Sequence, residues 1–233
     1  MRKWSMRVLV AVLMVIVFSG GVCGYLVLFH GYHGSAKANA EAGVGEFTTD
    51  DVDGDGIPNL KDPDADGDGV PNAQDIVQAA NRLVGVLYDP LKGGYGNIGG
   101  KMGFIVCIDV PRIAYAKAGI RLADLLTADF KRHPKHYNTE NGGNTPETPY
   151  FFRRVRNVYD YAQGNGFLVK DSLQPRVGDI VFYGRYHATL VTKVYQNGYY
   201  DEIEADPKLI FVKKHVHKKW QPHDVTRLIP FTS

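Results

Sequence analysis

The stretch that decides the fold is GFIVCIDVPRIAYAKAG, residues 103–119. Pro111 is acceptable only within the first turns of a helix, where the backbone amides have no partner inside the helix. Gly119 is a good C-terminal stop for such a helix. The pattern predicts a helix with Cys107 at or just before its start. A thiol in that place lies at the positive end of the helix dipole, which favours the thiolate.

The segments around this stretch predict helices first and strands afterwards. Upstream, apolar side chains recur at helical spacing, which indicates a first helix before a glycine-rich loop. Downstream, alternating patterns indicate antiparallel strands, two of them joined by an Asn-Gly turn. The predicted elements are a helix at 76–87, the loop at 92–101, and strands at 175–183, 186–195, 199–205, 208–216 and 225–230. This order predicts an α+β fold with N-terminal helices packed on an antiparallel sheet.

The hairpin brings a histidine close to two acidic residues. Pairing across a two-residue Asn197-Gly198 turn places residues whose numbers sum to 395 opposite each other. Asp206 is then the diagonal neighbour of His187, at roughly 7–8 Å between backbones. Glu204 lies farther along unless a bulge shifts the register. Both acids remain candidates for the residue that orients His187.

The two cysteines have different surroundings in the sequence. Cys23 lies in an apolar N-terminal segment, so Cys107 is the one thiol of the remaining chain and has no intramolecular partner. In an exported protein, a lone cysteine dimerises, is buried as a small apolar residue, or reacts.

The order of a cysteine on a helix, a histidine on a strand and a polar residue on the next strand resembles the NlpC-type papain-like peptidases and amidases of the cell wall. The chain is more closely similar to an uncharacterised bacterial domain family of that superfamily, over about residues 76–230. The residues that carry the resemblance are Tyr88-Asp89, Cys107-x-Asp109-Val-x-Arg112, Ala118-Gly-Ile120, Arg153-Arg-Val155-x-Asn157, Gly178-Asp-Ile-Val181 and His187.

The resemblance implies nucleophilic acyl transfer. Cys107 attacks an amide carbonyl, His187 holds the proton and returns it, and Glu204 or Asp206 orients the imidazole. In that family the third position is commonly histidine, and it falls on Glu204 here. Three further matching residues are candidates for substrate binding, with a structural ion pair between the first two as the alternative: Asp109, Arg112 and Arg154.

The N-terminus has the pattern of a membrane segment. Val8 to Phe29 is uncharged, and its 22 residues span roughly 33 Å as a helix, enough for the ~30 Å hydrocarbon core. Basic residues precede it, which predicts a cytoplasmic N-terminus and an external remainder. We interpret residues 1–29 as a signal anchor, with a cleaved signal peptide as the alternative, and residues 30–49 as a flexible linker.

Two acidic repeats follow with a period of 13, residues 51–62 and 64–75. Oxygen-bearing residues occupy positions 1, 3, 5, 9 and 12, and a glycine at position 6 permits the sharp turn of a calcium loop. The repeats resemble thrombospondin type 3 repeats, but aspartate replaces the bidentate glutamate at position 12. The alternative is an acidic disordered spacer. The predicted calcium ligands, which include two backbone carbonyls, are Asp51, Asp53, Asp55, Ile57, Asn59, Asp62, Asp64, Asp66, Asp68, Val70, Asn72 and Asp75.

The charge is segregated along the chain. Residues 41–75 have 11 acidic side chains and one basic, a net charge of −10, whereas residues 76–233 have 22 basic and 14 acidic, a net charge of +8. The acidic part suits a calcium-stiffened stalk, and the basic part suits an anionic substrate. We therefore predict a papain-like hydrolase domain, residues 76–233, on a calcium-binding module, residues 50–75, anchored in a bacterial envelope. Its predicted substrate is an amide bond of a peptidoglycan peptide or another envelope amide, and catalysis needs no cofactor.

Three rival interpretations remain. One is a non-catalytic, calcium-stalked surface protein that binds cell wall or a protein partner. A metal hydrolase would use His215-x-His217 and His223. Nucleic-acid binding through the lysine pairs at 213–214 and 218–219 has no motif and conflicts with an external location, so we expect no nucleic-acid partner.

Overall fold

The computed structural model describes residues 50–230. The predicted membrane segment, residues 1–29, and the predicted linker, residues 30–49, lie outside the described residues. Within residues 50–230, no helix combines the length and apolarity that a membrane crossing requires.

Helices pack on a six-stranded antiparallel sheet, which confirms the predicted α+β class. The strand order is β1-β6-β2-β3-β4-β5. The helices are α1 Asn72–Arg82, α2 Ile98–Lys101, α3 Asp109–Lys117, α4 Leu122–Arg132 and α5 Val155–Gly164, with 3₁₀ turns at Tyr95–Asn97, Pro134–His136, Glu140–Gly142 and Phe151–Arg153. The strands are β1 Leu168–Ser172, β2 Ile180–Tyr183, β3 His187–Val194, β4 Tyr199–Glu204, β5 Lys213–Lys219 and β6 His223–Thr226.

The sheet contributes to two apolar clusters. Ala188 and Leu190 of β3 are fully buried in the larger cluster, together with the helices. Val191 belongs to a smaller cluster with Tyr200 and Trp220. β3 is buried on both faces, and a slip of one residue would exchange the side chains that face the two clusters.

The helix that follows Cys107 is confirmed. It begins at Asp109, two residues after the cysteine, and Pro111 is its third residue. Gly119 has φ +74°, the left-handed conformation of a helix stop, and a Cβ there would lie 3.0 Å from the carbonyl oxygen of Ala65. The first helix was predicted too late, since α1 begins at Asn72 inside the second acidic repeat.

The predicted two-residue hairpin turn is wrong. The Tyr195 amide donates to the Tyr199 carbonyl at 2.8 Å, which closes a three-residue loop with Gly198 at φ +76°. A bulge between Val191 and Lys193 then shifts the register once more. Leu190 therefore pairs with Ile203, and the sum of paired numbers is 393 instead of 395. A shift of two keeps each side chain on its predicted face but moves Glu204 into the diagonal place assigned to Asp206.

The acidic repeats pack against the rest of the fold, so the predicted separate stalk is wrong. Ala65 is fully buried in the larger apolar cluster, and Leu60 packs against it. The second repeat runs directly into α1, whose buried Ile76 and Ala80 belong to the same cluster.

Candidate active site

Cys107 lies in a tight turn ahead of α3. The Val106 amide donates to Asp109 Oδ2 at 2.9 Å, and the Val110 amide donates to the Cys107 carbonyl at 3.3 Å. Cys107 is 8% exposed, and its Sγ lies 3.9 Å from the carbonyl oxygen of Tyr186. The turn therefore directs the thiol toward the start of β3.

His187, the first residue of β3, lies between the thiol and a carboxylate. Its Nε2 is 2.7 Å from Glu204 Oε2. Burial disfavours the imidazolium, but hydrogen bonding to Cys107 and Glu204 and their negative charges raise the pKa of His187 to about 10. The same contact with His187 holds the pKa of Glu204 below its ordinary value, against the effect of burial.

The direction of this shift gives a pH dependence of stability. The folded-state pKa of His187 lies above its unfolded value of about 6.5. The stability that protonation of His187 contributes is therefore complete below about pH 6.5. It is lost as the pH rises through about 10.

Of the two acids left open by the sequence, Glu204 makes the contact with His187. A carboxylate oxygen of Asp206 lies within 4.8 Å of an imidazole nitrogen of His187 and of a carboxylate oxygen of Glu204. However, Asp206 Oδ1 accepts the Lys208 amide at 2.7 Å. Asp206 lines the open cleft beside Cys107.

The two acids are distinguished by matched amide variants. Glu204→Gln is expected to slow alkylation of Cys107 by iodoacetamide roughly 10- to 100-fold, since a charged hydrogen bond to His187 is lost. Asp206→Asn is expected to leave the rate within about twofold. The second-order rate constant at neutral pH measures both, and equal effects of the two variants would contradict the assignment.

Asp109 and Arg112 do not reach the cleft, which corrects their assignment as substrate-binding residues. Asp109 is 0% and Arg112 3% exposed, and Arg112 Nε contacts Asp109 Oδ1 at 2.9 Å. Arg153 donates from Nη2 to Asp109 Oδ2 at 2.7 Å and from Nη1 to Asp89 Oδ2 at 3.0 Å. Although burial opposes ionisation, the arginines hold the pKa of Asp109 below its ordinary value. The network fixes the turn that carries Cys107.

The glycine-rich loop closes over this network. A Cβ on Gly99 would lie 2.0 Å from Asp89 Oδ1, and one on Gly100 would lie 2.1 Å from Asn97 Oδ1. The glycines are therefore needed for a close backbone approach to the buried Arg153–Asp89 pair.

Removing Arg153 is expected to destabilise the fold. Arg153→Ala leaves the buried Asp89 without its cation and leaves Asp109 with Arg112 alone, which costs about 3–5 kcal/mol. The neighbouring Arg154→Ala is the matched control, because Arg154 forms a half-exposed pair with Glu140 at 2.9 Å and its loss costs less than about 1 kcal/mol. Urea unfolding measures both, and equal losses would contradict a special role of Arg153.

A basic cleft of about 430 Å³ opens beside Cys107. Arg154, the remaining predicted substrate-binding residue, lines it. Tyr88, for which sequence analysis proposed no role, also lines it, and burial and the charge of Cys107 raise the pKa of Tyr88. Further cationic residues in its lining are Lys92, Arg156 and Arg185. In the sequence, the run Arg153-Arg154-x-Arg156 indicates the basic lining of this cleft.

The three histidines of the rival metal hydrolase do not converge. His215 Nε2 lies 2.6 Å from Glu204 Oε1. His217 has φ +56° and stacks on Tyr199 with ring centroids 4.4 Å apart. His223 packs on the Tyr183 ring at 4.6 Å. That interpretation is therefore wrong.

The acidic repeats form two curled loops. In each loop the first three aspartates bring carboxylate oxygens within 4.8 Å of one another. Asp51 accepts the Gly54 and Gly56 amides at 2.8 and 2.9 Å, and Asp64 accepts the Gly69 amide at 2.9 Å. Burial and the neighbouring aspartates raise the pKa of Asp75 to about 6.

The two predicted asparagine ligands have other roles. Asn59 Oδ1 accepts the Val52 amide at 2.9 Å. Asn72, 2% exposed, accepts the Ala65 amide at 2.9 Å and donates to the Asp62 carbonyl at 2.6 Å. Their side chains therefore also brace the loops.

The fold and the Cys107–His187–Glu204 arrangement define an α+β protein with a candidate thiol-dependent site. The chain belongs to the family described as a domain of unknown function, DUF1287, whose model matches residues 78–201. No curated protein matches it. A crystal structure of the P60 domain from an antigen of M. avium subspecies paratuberculosis is similar over 69% of this chain and 96% of that chain, with 17% identity and a TM-score of 0.36.

Proposed function

We propose that this protein is a cysteine hydrolase of the bacterial envelope that cleaves amide bonds of peptidoglycan peptides. The observation that supports this most strongly is the position of His187, which interacts with Cys107 and has Nε2 2.7 Å from Glu204. The similarity of the motif residues to NlpC-type papain-like enzymes supports the same chemistry.

The proposed mechanism uses only side chains of this chain and water. The Cys107 thiolate attacks the amide carbon, and the backbone amide of Cys107, just ahead of α3, stabilises the oxyanion. The His187 imidazolium donates its proton to the nitrogen as the C–N bond breaks, which releases the amine and leaves a thioester. Water then attacks the thioester while His187 takes its proton. The acid is released, and the thiolate and imidazolium are restored.

The charge of the cleft supports an anionic substrate. Lys92, Arg154, Arg156 and Arg185 line it beside Cys107, with Asp206 as the acidic side chain of the lining. Peptidoglycan peptides carry free carboxylates. An N-terminal anchor in residues 1–29 would hold the site on the outer side of a membrane, where such peptides occur.

We propose that the acidic repeats bind structural calcium. Four carboxylate oxygens there are buried without a hydrogen-bond partner: Asp62 Oδ2, Asp64 Oδ1, Asp66 Oδ1 and Asp75 Oδ2. Such atoms are costly unless a cation or donor meets them, and hard oxygen ligands fit Ca²⁺. The remaining candidate ligands are Asp51, Asp53, Asp55, Asp68 and the carbonyls of Ile57 and Val70. The bound ion supplies positive charge to the loops and takes no part in catalysis.

The test is cleavage of purified peptidoglycan. The wild-type chain, Cys107→Ser and the control His217→Ala are incubated with it, and the soluble products are compared by mass spectrometry. New peptide fragments are expected with the wild type and His217→Ala and are expected to be absent with Cys107→Ser. Identical products from the wild type and Cys107→Ser would overturn the hydrolase and favour a non-catalytic binding protein.

A further inference from the structure

The carboxylate of Glu204 has two histidine neighbours. Its Oε2 is 2.7 Å from Nε2 of His187 on β3, and its Oε1 is 2.6 Å from Nε2 of His215 on β5. These two strands flank β4, which carries Glu204. Both oxygens of one carboxylate are thus held by imidazoles from opposite sides.

The contact with His215 involves a nitrogen shielded from water. His215 Nε2 is inaccessible to solvent and has no aligned hydrogen bond, although the side chain as a whole is 35% exposed. A buried polar nitrogen is costly unless it meets a partner. Glu204 Oε1, at 2.6 Å, is the acceptor at hand.

We propose that His215 is a positioning residue of the active site, which holds Glu204 Oε1 so that Glu204 Oε2 stays directed at His187. This rests on the proposed function of Cys107, His187 and Glu204. A carboxylate fixed at one oxygen alone can rotate away, whereas a second donor restricts it to the orientation that His187 needs.

Other charged groups near Glu204 do not perform this role. Lys218 Nζ contacts the neighbouring Glu202. Lys213 is opposite Glu204 in the register and is exposed. Asp206 lies close but carries the same charge as Glu204. His215 therefore supplies the second hold on this carboxylate.

The test is the titration of the His187 imidazole, followed by NMR in the full-length chain. A positioning role predicts that His215→Ala lowers the pKa of His187 from the expected wild-type value of about 10 by about one pH unit. The reason is that Glu204 no longer stays in contact with His187. If His215 acted only as a nearby positive charge, its removal would raise that pKa. His215→Gln, which keeps a donor, is expected to restore most of the wild-type value.

His217→Ala is the matched control, since it removes a histidine of the same strand that stacks on Tyr199, and it is expected to change nothing. His215→Leu keeps the side-chain volume without a donor and is expected to behave as His215→Ala does. An unchanged or raised pKa of His187 in the Ala and Leu variants would overturn the positioning role. A lowered pKa without peptidoglycan cleavage by the wild type would support the positioning role and overturn the hydrolase.

Discussion

Replacing His187 by alanine is expected to slow alkylation of Cys107 by iodoacetamide about a hundredfold at neutral pH. The imidazolium stabilises the thiolate through direct interaction, and its raised pKa of about 10 keeps it protonated at neutral pH. Without it, the buried Cys107 loses the neighbouring cation that favours the nucleophilic form of a thiol.

The measurement needs a chain with one reactive thiol. Cys23 is the only other cysteine, so the rates are compared in a Cys23→Ser background by intact-mass spectrometry. His217→Ala is expected to react at the wild-type rate. Equal rates for the wild type and His187→Ala would mean that Cys107 is an ordinary buried thiol.

Removing calcium is expected to lower the melting temperature of the whole described fold by roughly 10–20 °C. A ligand at a hundred times its dissociation constant contributes about 2.7 kcal/mol per site, and 1 kcal/mol corresponds to about 2–4 °C in a chain of this size. The effect extends beyond the loops because Ala65 is part of the main core and the second loop continues into α1.

Calorimetry with added Ca²⁺ and with a chelator measures this effect. Asp64→Asn together with Asp66→Asn is expected to remove about half of the calcium-dependent increase, while Glu147→Gln, an exposed control, leaves it intact. A melting temperature that does not respond to Ca²⁺ would contradict calcium binding and favour an acidic surface without a cation.

Several features of the site could be predicted from local sequence. Pro111 marks the start of the helix and Gly119 its end. The position of Cys107 just before the helix could therefore be predicted from the backbone preferences of these two residues. His187 was placed by the alternating pattern of its strand. These are short-range signals, and the structure agrees with each of them.

The choice between Glu204 and Asp206 depended on the hairpin. The Asn-Gly pair permits several turns, and neither the three-residue loop nor the bulge at Val191 has an unambiguous pattern in one sequence. The burial of Asp109 and Arg112 depended on Arg153, more than 40 residues away. The sequence did not predict β1, because three of its five residues are exposed and its polar and apolar residues do not alternate.

The measurement that tests the account most directly is the titration of His187 in the wild type and in Cys107→Ser, by NMR of histidine-labelled chain. A His187 imidazolium held between Cys107 and Glu204 is expected to titrate with a pKa of about 10 in the wild type and clearly lower when the sulfur is replaced. A wild-type His187 that titrates near about 6.5, with no change in Cys107→Ser, would contradict it.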